Sequence, residues 1–318
     1  MIKVSVIVAV YQVERFIRKC LDSLQDQTMS GFEVLLIDDG CMDHSGIICE
    51  EYAAKDSRFR VIHKKNGGVS SARQVGLDNA VGEYIIHVDP DDWIEKNMLE
   101  VLYNEAKVNN SDIVVCDYFR ELNGKTFYIK QIPNKNGAKS YFYDVVYRLH
   151  GSCWNKLVRR SCFSKYNISF SSNMIMWEDK FVILKLAEQP VKITYLPKAF
   201  YHYDESTNSN SAVRSWSRKK LESQKTVINW LEQKNDPIVN EEIVFLKKSA
   251  KKTAFFAKDI NSSEFRSLYP EINSCYKFRI KEIGRLNFFM YLAIHASLGL
   301  ARCLNTVKET FKKCILML

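Results

Sequence analysis

The run Val4-Ser5-Val6-Ile7-Val8-Ala9-Val10 constrains the fold more than any other stretch of the chain. It is almost continuous in apolar, mostly β-branched residues and has the length of one strand. A strand with one face in water alternates polar and apolar residues, whereas a strand of a parallel sheet is covered on both faces. The run therefore predicts a buried strand in a parallel sheet with helices on both sides.

Residues 11–132 continue in a regular rhythm of strand and helix patterns. Further strands are predicted over 33–37, 60–63, 85–88, 112–117 and 126–132, and helices over 16–24, 46–55 and 69–80. This alternation is typical of α/β proteins. The predicted fold is an α/β, Rossmann-like, mixed and mostly parallel sheet flanked by helices.

Polar side chains follow three of these strands where each strand ends. Tyr11 follows the first strand, Asp38-Asp39 closes the second, and Asp89-Pro90-Asp91-Asp92-Trp93 follows the fourth. Open α/β sheets bind ligands at the carboxyl ends of their strands. Carboxylates there can hold Mg²⁺ or Mn²⁺ on a phosphate, and an aromatic ring can stack on a base. The alternative for the acidic run is a turn whose Asp caps a helix beginning near Glu95.

The glycine-containing stretch Asn66 to Arg73 is a second candidate for ligand binding. Gly67 and Gly68 let the backbone approach a ligand closely, and the N-terminus of the following helix favours anions. Arg73 can pair with a phosphate or with a neighbouring carboxylate. The sequence has no GxGxxG after a strand, no GxxxxGK[ST] and no HExxH, which disfavours a dinucleotide fold, a P-loop NTPase and a zinc protease of that type.

Taken together, these motifs resemble the family 2 glycosyltransferases, which have the GT-A fold. The resemblance rests, in order along the chain, on residues 4–11, 20–28, 38–40, 66–77 and 82–93. Two positions depart from the family pattern: Gln12 replaces the usual Asn, and Cys41-Met42-Asp43 replaces Ser-Thr-Asp.

The resemblance implies roles for individual residues of the donor site. Tyr11 and Asp39 would meet the base, Arg73 would lie near the ribose or diphosphate, and Asp91 and Asp92 would lie closest to Mn²⁺ or Mg²⁺. The implied donor-binding residues are Ala9, Tyr11, Asp38, Asp39, Gly67, Arg73, Asp89 and Asp91, and the implied metal residues are Asp91 and Asp92.

Further along the chain, Met176 to Phe181 resembles the family's Glu-Asp pair at the start of a helix. Asp179 takes the position of the catalytic base, and Glu178 would orient the reacting groups. Removal of the acceptor hydroxyl's proton requires such a carboxylate. The alternative is that both residues stabilise the N-terminus of a helix.

Three more residues are candidates for contacts to acceptor or phosphate. Trp154 and Lys156 lie in a segment that resembles the one these transferases carry ahead of the acceptor site. Lys156 would contact a phosphate, or else lie at a solvated strand end. His202 of Tyr201-His202-Tyr203 would approach the diphosphate or metal, or else be a packed residue.

The charge of the chain is concentrated in its last third. Residues 1–213 contain 26 Lys/Arg and 27 Asp/Glu, whereas residues 214–318 contain 20 and 10, so the net of +9 is −1 plus +10. Within that third, residues 287–301 contain no charged residue and are flanked by Arg285 and Arg302. Fifteen residues fall short of the ~20 that span a bilayer. We expect a helix in the membrane interface within 284–318, or else one that docks its apolar stripe on the core.

The cysteines place the chain in a reducing compartment. There are nine, none in CxxC spacing, which argues against a disulfide framework and against a zinc site. The N-terminus lacks the features of a secretory signal. We therefore expect a cytoplasmic protein, peripheral on the inner face of the membrane, with no nucleic-acid partner.

The resemblance implies an inverting hexosyltransferase that uses a UDP-sugar and a lipid-linked saccharide acceptor in bacterial surface-polysaccharide synthesis. Its predicted domains are a GT-A domain over 1–213, with a nucleotide-sugar half (1–117) and an acceptor half (118–213), and a basic helical region over 214–318. A sugar-1-phosphate nucleotidyltransferase is an alternative, but it would carry a glycine-rich basic loop where Tyr11 to Glu14 stand. A non-catalytic membrane or nucleic-acid adaptor on the same fold is the other.

Overall fold

The computed structural model describes residues 1–134, 137–205, 216–277, 279, 283 and 285–316, with backbone alone over 311–316. The chain divides into two compact units, Met1–Ser211 and Ala212–Leu318.

The first unit alternates strands and helices along the chain. Its strands are β1 (Val4–Val10), β2 (Phe32–Asp38), β3 (Phe59–His63), β4 (Tyr84–His87), β5 (Trp93–Ile94), β6 (Ile113–Leu122), β7 (Lys125–Ile129), β8 (Lys156–Arg159) and β9 (Ile193–Asp204). Its helices are α1 (Ile17–Gln25), α2 (Ser45–Lys55), α3 (Val69–Asn79), α4 (Met98–Val108), α5 (Ala138–Tyr147), α6 (Ser161–Lys165) and α7 (Glu178–Ala187). The predicted elements of the first 93 residues are present, with ends that differ by one or two residues.

One sheet runs through this unit in the order β3-β2-β1-β4-β8-β6-β9-β5, and β7 pairs with β6. The neighbours from β3 to β4 are parallel, and β8 is antiparallel to both β4 and β6. Six of the seven residues of β1 are buried, as the run predicted, and Ala9 is partly buried. α1 buries Ile17, Cys20, Leu21 and Leu24 at helical spacing. The parallel strands thus bring the ends of β1, β2 and β4 to one edge.

The hairpin of β6 and β7 follows from a two-residue turn. Leu122 pairs with Lys125, and Asn123 and Gly124 between them both have positive φ, 51° and 73°. Asn-Gly is the residue pair that such turns favour, because Gly adopts positive φ without strain and Asn does so at small cost.

The alternative interpretation of the acidic run as a helix cap is wrong. The next helix, α4, begins at Met98 rather than near Glu95, and the residue before it is Asn97, whose side chain forms no capping hydrogen bond. Trp93 and Ile94 instead form β5, which pairs with His202 and Tyr201 of β9. The acidic run is therefore a connection between two strands.

The second unit is helical. It contains α8 (Arg218–Gln233), α9 (Asn240–Phe256), α10 (Ser262–Ser267), α11 (Leu286–His295), α12 (Leu298–Leu316) and short 3₁₀ helices over Pro237–Val239 and Pro270–Cys275. The uncharged stretch 287–301 does not form one helix, since α11 ends before Ala296 and α12 begins after Ser297. α11 buries Phe289, Met290, Ala293 and Ile294, so its apolar stripe docks inside the unit. None of the described helices has the length and apolar content to cross a bilayer.

Candidate active site

The acidic run Asp89 to Asp92 is held by one tyrosine. The Tyr201 hydroxyl donates to Asp92 Oδ2 at 2.6 Å and accepts from the Asp89 N–H at 3.1 Å. Asp92 Oδ1 accepts from the Asp204 N–H at 2.8 Å. Burial raises the pKa of Asp92 well above its usual range, and the charges of Asp89 and Asp91 add to the rise. Both carboxylate oxygens of Asp92 therefore accept hydrogen bonds that stabilise the fold. Tyr201 fixes the conformation of the loop Asp89 to Asp92.

The Arg73 guanidinium joins this run to the start of α7. Nη2 lies 3.0 Å from Asp89 Oδ1, and Nη1 lies 2.6 Å from Glu178 Oε1. Burial lowers the pKa of Arg73, but the charges of Asp89, Glu178 and Asp179 outweigh it, so the pKa is raised and Arg73 stays a cation. Burial also raises the pKa of Glu178 to about 7, against the opposing charge of Arg73. One buried cation therefore brings together two acidic segments that are ninety positions apart in sequence.

Helix α3 positions both Arg73 and the approach to α7. The Ser70 hydroxyl donates to the Met174 carbonyl at 2.5 Å, and the Phe170 N–H donates to the Gln74 side chain at 2.8 Å. These two bonds hold the segment that precedes α7 against α3. As a result, the predicted base and the predicted diphosphate-binding arginine are placed by the same helix.

Asp179 lies in the first turn of α7 and is partly exposed. The residue before the helix is Trp177, in a left-handed conformation with φ 60°, and neither Glu178 nor Asp179 occupies the capping position. The Lys180 N–H donates to Asp179 Oδ1 at 2.7 Å. This bond orients the carboxylate without burying it.

The ends of β1 and β2 carry the predicted base-binding residues. Tyr11 is 45% exposed, and Ala9 pairs with Ile37 inside the sheet. Asp38 accepts from the Cys41 N–H at 2.9 Å and contacts His63 Nδ1 at 2.7 Å.

Asp39 is buried and serves the glycine loop. Its carboxylate accepts from the N–H groups of Gly67 at 2.9 Å and Gly68 at 2.7 Å, and it forms an ion pair with Lys64. A Cβ on Gly67 would lie 2.8 Å from Ser71 Oγ and 3.0 Å from Ser71 Cβ, so a larger residue there would require the Ser71 side chain to shift. Asp39 therefore shapes the loop of Gly67 and Gly68, a role that the sequence did not indicate.

Lys156 and Trp154 lie in the interior, not at a solvated strand end. The Lys156 ammonium donates to the carbonyl oxygens of His150 and Ser152 at 2.8 and 2.7 Å, and to Asn155 Oδ1 at 2.6 Å. These bonds use its three N–H groups, and burial lowers its pKa to about 8. Trp154 is buried and stacks on Tyr201 with 4.3 Å between ring centroids. Trp154 therefore acts on the acidic run through Tyr201.

His202, on β9, is a packed residue between β5 and β6. Its ring is stacked between Trp93, at 4.8 Å, and Phe119, at 4.7 Å. Nδ1 lies 2.8 Å from Glu121 Oε1 and Nε2 lies 3.0 Å from Glu95 Oε1. His202 is therefore a packed residue, which is the alternative that the sequence analysis gave for it.

The arrangement of Asp89 and Asp91 fits a divalent cation whose other ligands include the oxygens of a diphosphate. Within the described ranges, no three His, Cys, Asp or Glu side chains form a ready metal cage. Mg²⁺ is commonly held by one or two carboxylates together with substrate phosphates, and such a site needs no cage. Asp89 and Asp91 are partly exposed at the sheet edge, although Asp89 Oδ1 also pairs with Arg73, whereas Asp92 is buried and both of its oxygens accept hydrogen bonds. The residues present fit a metal on Asp89 and Asp91 better than one on Asp92.

Comparisons with known proteins identify the family and the fold. The model of the family described as "Glycosyl transferase family 2" matches residues 5–167. The chain is 37% identical over 213 residues to the uncharacterized glycosyltransferase EpsJ of Bacillus subtilis, covering 65% of this chain and 62% of EpsJ. It is 32% identical over 256 residues to the cholesterol galactosyltransferase of Borreliella burgdorferi, covering 75% and 70%. The chain thus spans less than two thirds of EpsJ.

Two solved structures share the fold. Residues 1–349 of S. aureus TarS in complex with UDP-GlcNAc match with a TM-score of 0.66 at 20% identity, over 98% of this chain and 92% of that one. The mannosyltransferase PcManGT of Pyrobaculum calidifontis, in complex with GDP-Man and Mn²⁺, matches with a TM-score of 0.55 at 13% identity, over 98% and 88%. The predicted GT-A fold is confirmed. The chain belongs to glycosyltransferase family 2.

Proposed function

We propose that the protein is an inverting glycosyltransferase that moves a sugar from a nucleotide-sugar donor to an acceptor hydroxyl. The observation that carries the proposal is the position of Arg73 between Asp89 and Glu178. Through it, the acidic run at the sheet edge and the candidate base Asp179 belong to one site. An in-line displacement needs both a diphosphate-binding corner and a base on the acceptor side.

In this mechanism, Asp179 removes the proton of the acceptor hydroxyl as its oxygen attacks the anomeric carbon. The bond from that carbon to the diphosphate oxygen breaks, and the nucleoside diphosphate leaves. A bound Mn²⁺ or Mg²⁺ would be held by Asp89 and Asp91 and would stabilise charge on the leaving diphosphate. The Lys180 N–H orients Asp179, and Arg73 holds Asp89 and Glu178 in place.

The finer assignments rest on the relatives. The TarS complex with UDP-GlcNAc supports a UDP-sugar donor, and the cholesterol galactosyltransferase supports an acceptor that lies in a membrane. A lipid-linked saccharide of surface-polysaccharide synthesis, met at the cytoplasmic face of the membrane, is the acceptor class that we propose. The domain limits at about 213 and the basic region beyond it belong to the same proposal.

A nucleotide screen tests this function. Thermal shift and donor hydrolysis would be measured with Mn²⁺ and UDP-, GDP- or dTDP-sugars. We expect a clear preference for one UDP-sugar, lost in Asp91→Asn. Asp179→Asn should keep donor binding and lower turnover by ~10²–10⁴-fold, the usual contribution of a general base.

Glu188→Gln, on an exposed residue just beyond α7, is the matched control and should keep full activity. If none of the nucleotide sugars raises the Tm or is hydrolysed, the donor assignment is wrong. Full transfer by Asp179→Asn and Asp91→Asn would favour the non-catalytic adaptor.

A further inference from the structure

His150 lies beside the candidate active site, in a loop that the sequence analysis did not single out. The loop joins α5 to β8, and His150 is exposed there. The next residue, Gly151, packs against α7, since a Cβ on it would lie 2.7 Å from Lys180 Cβ and 3.1 Å from Lys180 Cα. Lys180 in turn follows the candidate base, Asp179. His150 and Asp179 are therefore each one residue away from the same close contact.

Three aromatic rings hold the imidazole of His150. Its centroid lies 5.0 Å from that of the nearest ring of Trp154, 5.7 Å from that of Tyr118 and 6.2 Å from that of Tyr203. Trp154 also stacks on Tyr201, which binds the acidic run. A side chain held by packing has the fixed position that recognition of a substrate requires. The cluster that positions the acidic run thus positions His150 as well.

The hydrogen bonds of the imidazole decide which nitrogen can donate. The Ser152 backbone N–H donates to Nδ1 at 3.3 Å, and Ser152 Oγ lies 2.8 Å from the same nitrogen. A backbone N–H can only donate, so Nδ1 carries no proton and the neutral ring has its proton on Nε2. Within the part of the chain that the structure describes, no group bonds to Nε2. The Nε2–H group is therefore a donor for a ligand.

The charges around this ring favour a neutral ligand. Although the residue is exposed, the side chains around its ring displace water, which lowers the pKa of His150 to about 4, and the charges of Lys156 and Lys180 add to the fall. The carboxylates of Asp89 and Glu205 act in the opposite direction. These two cations and two anions leave no positive excess of the kind that binds phosphate. A neutral hydrogen-bond donor in such surroundings suits a hydroxyl group.

We propose that the Nε2–H group of His150 donates a hydrogen bond to a hydroxyl of an acceptor saccharide and so places the reacting hydroxyl beside Asp179. The ligand class is a neutral sugar. The proposal rests on the proposed function, because only a transferase has an acceptor. His150 transfers no proton, and Asp179 remains the base. The bond is made to the acceptor alone, so its loss should raise the KM for the acceptor and not the KM for the donor.

Two substitutions of His150 separate this role from a purely structural one. His150→Asn keeps an acceptor oxygen near the position of Nδ1 for the Ser152 N–H, but it has no donor near the position of Nε2. His150→Gln places an amide N–H near the position of Nε2 and loses the bond to Ser152. The full chain would be assayed with the UDP-sugar that the nucleotide screen selects and with octyl glycosides of glucose, galactose and N-acetylglucosamine as acceptors.

We expect His150→Asn to raise the KM for the octyl glycoside about five- to tenfold, the size of one neutral hydrogen bond. His150→Gln should raise it less than about threefold, because a donor remains. His295→Asn, at an exposed histidine of α11 in the second unit, is the matched control and should change neither KM. Circular dichroism and Tm should show that all three variants fold.

A parent-like KM in His150→Asn, or an equal rise in both His150 variants, would show that His150 only holds its own loop and would overturn the proposal. If the parent hydrolyses a UDP-sugar but transfers the sugar to none of the glycosides, the saccharide assignment is wrong. If the parent hydrolyses no nucleotide sugar, the proposed function itself fails, and this inference fails with it. Donor hydrolysis by the parent therefore distinguishes the two failures.

Discussion

The surroundings of Arg73 and of Lys156 differ in one respect, although both are buried cations of the first unit. Arg73 contacts two carboxylates, Asp89 and Glu178, and Asp89 is partly exposed. Among the described residues, the Lys156 ammonium donates to three neutral oxygens, which belong to its own short segment. A cation that donates all its hydrogen bonds to neutral oxygens nearby stabilises the fold. A cation that pairs with carboxylates at a sheet edge can also help to bind a charged ligand there. Four predictions test that distinction.

Arg73→Gln should have the largest effect, because it leaves Glu178 and Asp89 without their cation. Removal of one partner of a buried ion pair costs about 3–5 kcal/mol. Urea unfolding should show a loss of that size, together with loss of sugar transfer. Arg60→Gln, at a half-exposed arginine of β3, should change the free energy of unfolding by less than about 0.5 kcal/mol. A loss below about 1 kcal/mol in Arg73→Gln would contradict the pairing.

Lys156→Met should destabilise without changing donor binding. Three buried oxygens lose their donor, and each unsatisfied group costs about 1–3 kcal/mol, partly offset by relaxation, so we expect about 3 kcal/mol in total. The KM for the nucleotide sugar, measured on the folded fraction, should stay within twofold. A tenfold rise in KM with unchanged Tm would restore the phosphate-binding role expected from the sequence.

His87→Phe should remove a pH dependence of stability. His87 is buried at the end of β4, neither ring nitrogen has a hydrogen-bond partner among the described residues, and burial lowers its pKa well below the usual 6.5. The unfolded chain therefore binds a proton that the folded chain excludes, so stability is full above pH 6.5 and falls below it.

Between pH 7 and 5, this loss amounts to about 2 kcal/mol. As the pH falls over this range, the free energy of unfolding of the parent should therefore fall by that amount more than the free energy of unfolding of His87→Phe. A constant difference over this range would show that His87 keeps its usual protonation in the fold.

Tyr201→Phe removes two hydrogen bonds and should lower the free energy of unfolding by about 2 kcal/mol, at about 1 kcal/mol for each bond. Its effect on the site should be larger, since the hydroxyl binds both Asp92 and the Asp89 backbone. We expect the KM for donor and for metal to rise several-fold. Tyr203→Phe, which keeps the stacking on Trp154, is the matched control. Equal KM values in the two variants would mean that Tyr201 does not position the acidic run.

The sequence predicted the elements well where periodicity decides them. β1 and α1 follow from the spacing of their own apolar residues, and the ends of β1, β2 and β4 meet because parallel strands end at one edge. The partners of Lys156 and His202 could not be predicted in the same way. His202 is held by Glu95 and Glu121, more than eighty positions away, and a strand pattern does not reveal such pairs.

The break between α11 and α12 could not be predicted from the sequence either, because it also depends on tertiary contacts. Ala296 and Ser297 carry no helix-breaking signal such as Pro or Gly, and Gly299 lies inside α12. The break follows from packing. α11 docks its apolar stripe inside the unit, whereas the Arg302 guanidinium of α12 donates to the carbonyl oxygens of Ala254, Phe255 and Ala257 at the end of α9. Composition alone indicates one apolar stretch over 287–301. Tertiary contacts divide this stretch between two helices.

The place of β8 in the sheet has a consequence for synthesis on the ribosome. β8 comes from the predicted acceptor half but lies between β4 and β6, and its pairing with β4 closes the edge of the donor-side strands. Until residue 159 has left the ribosome, β4 keeps an open edge that invites wrong pairing. We therefore expect that the predicted nucleotide-sugar half does not fold on its own, and that a chain truncated at residue 117 recruits chaperones rather than donor.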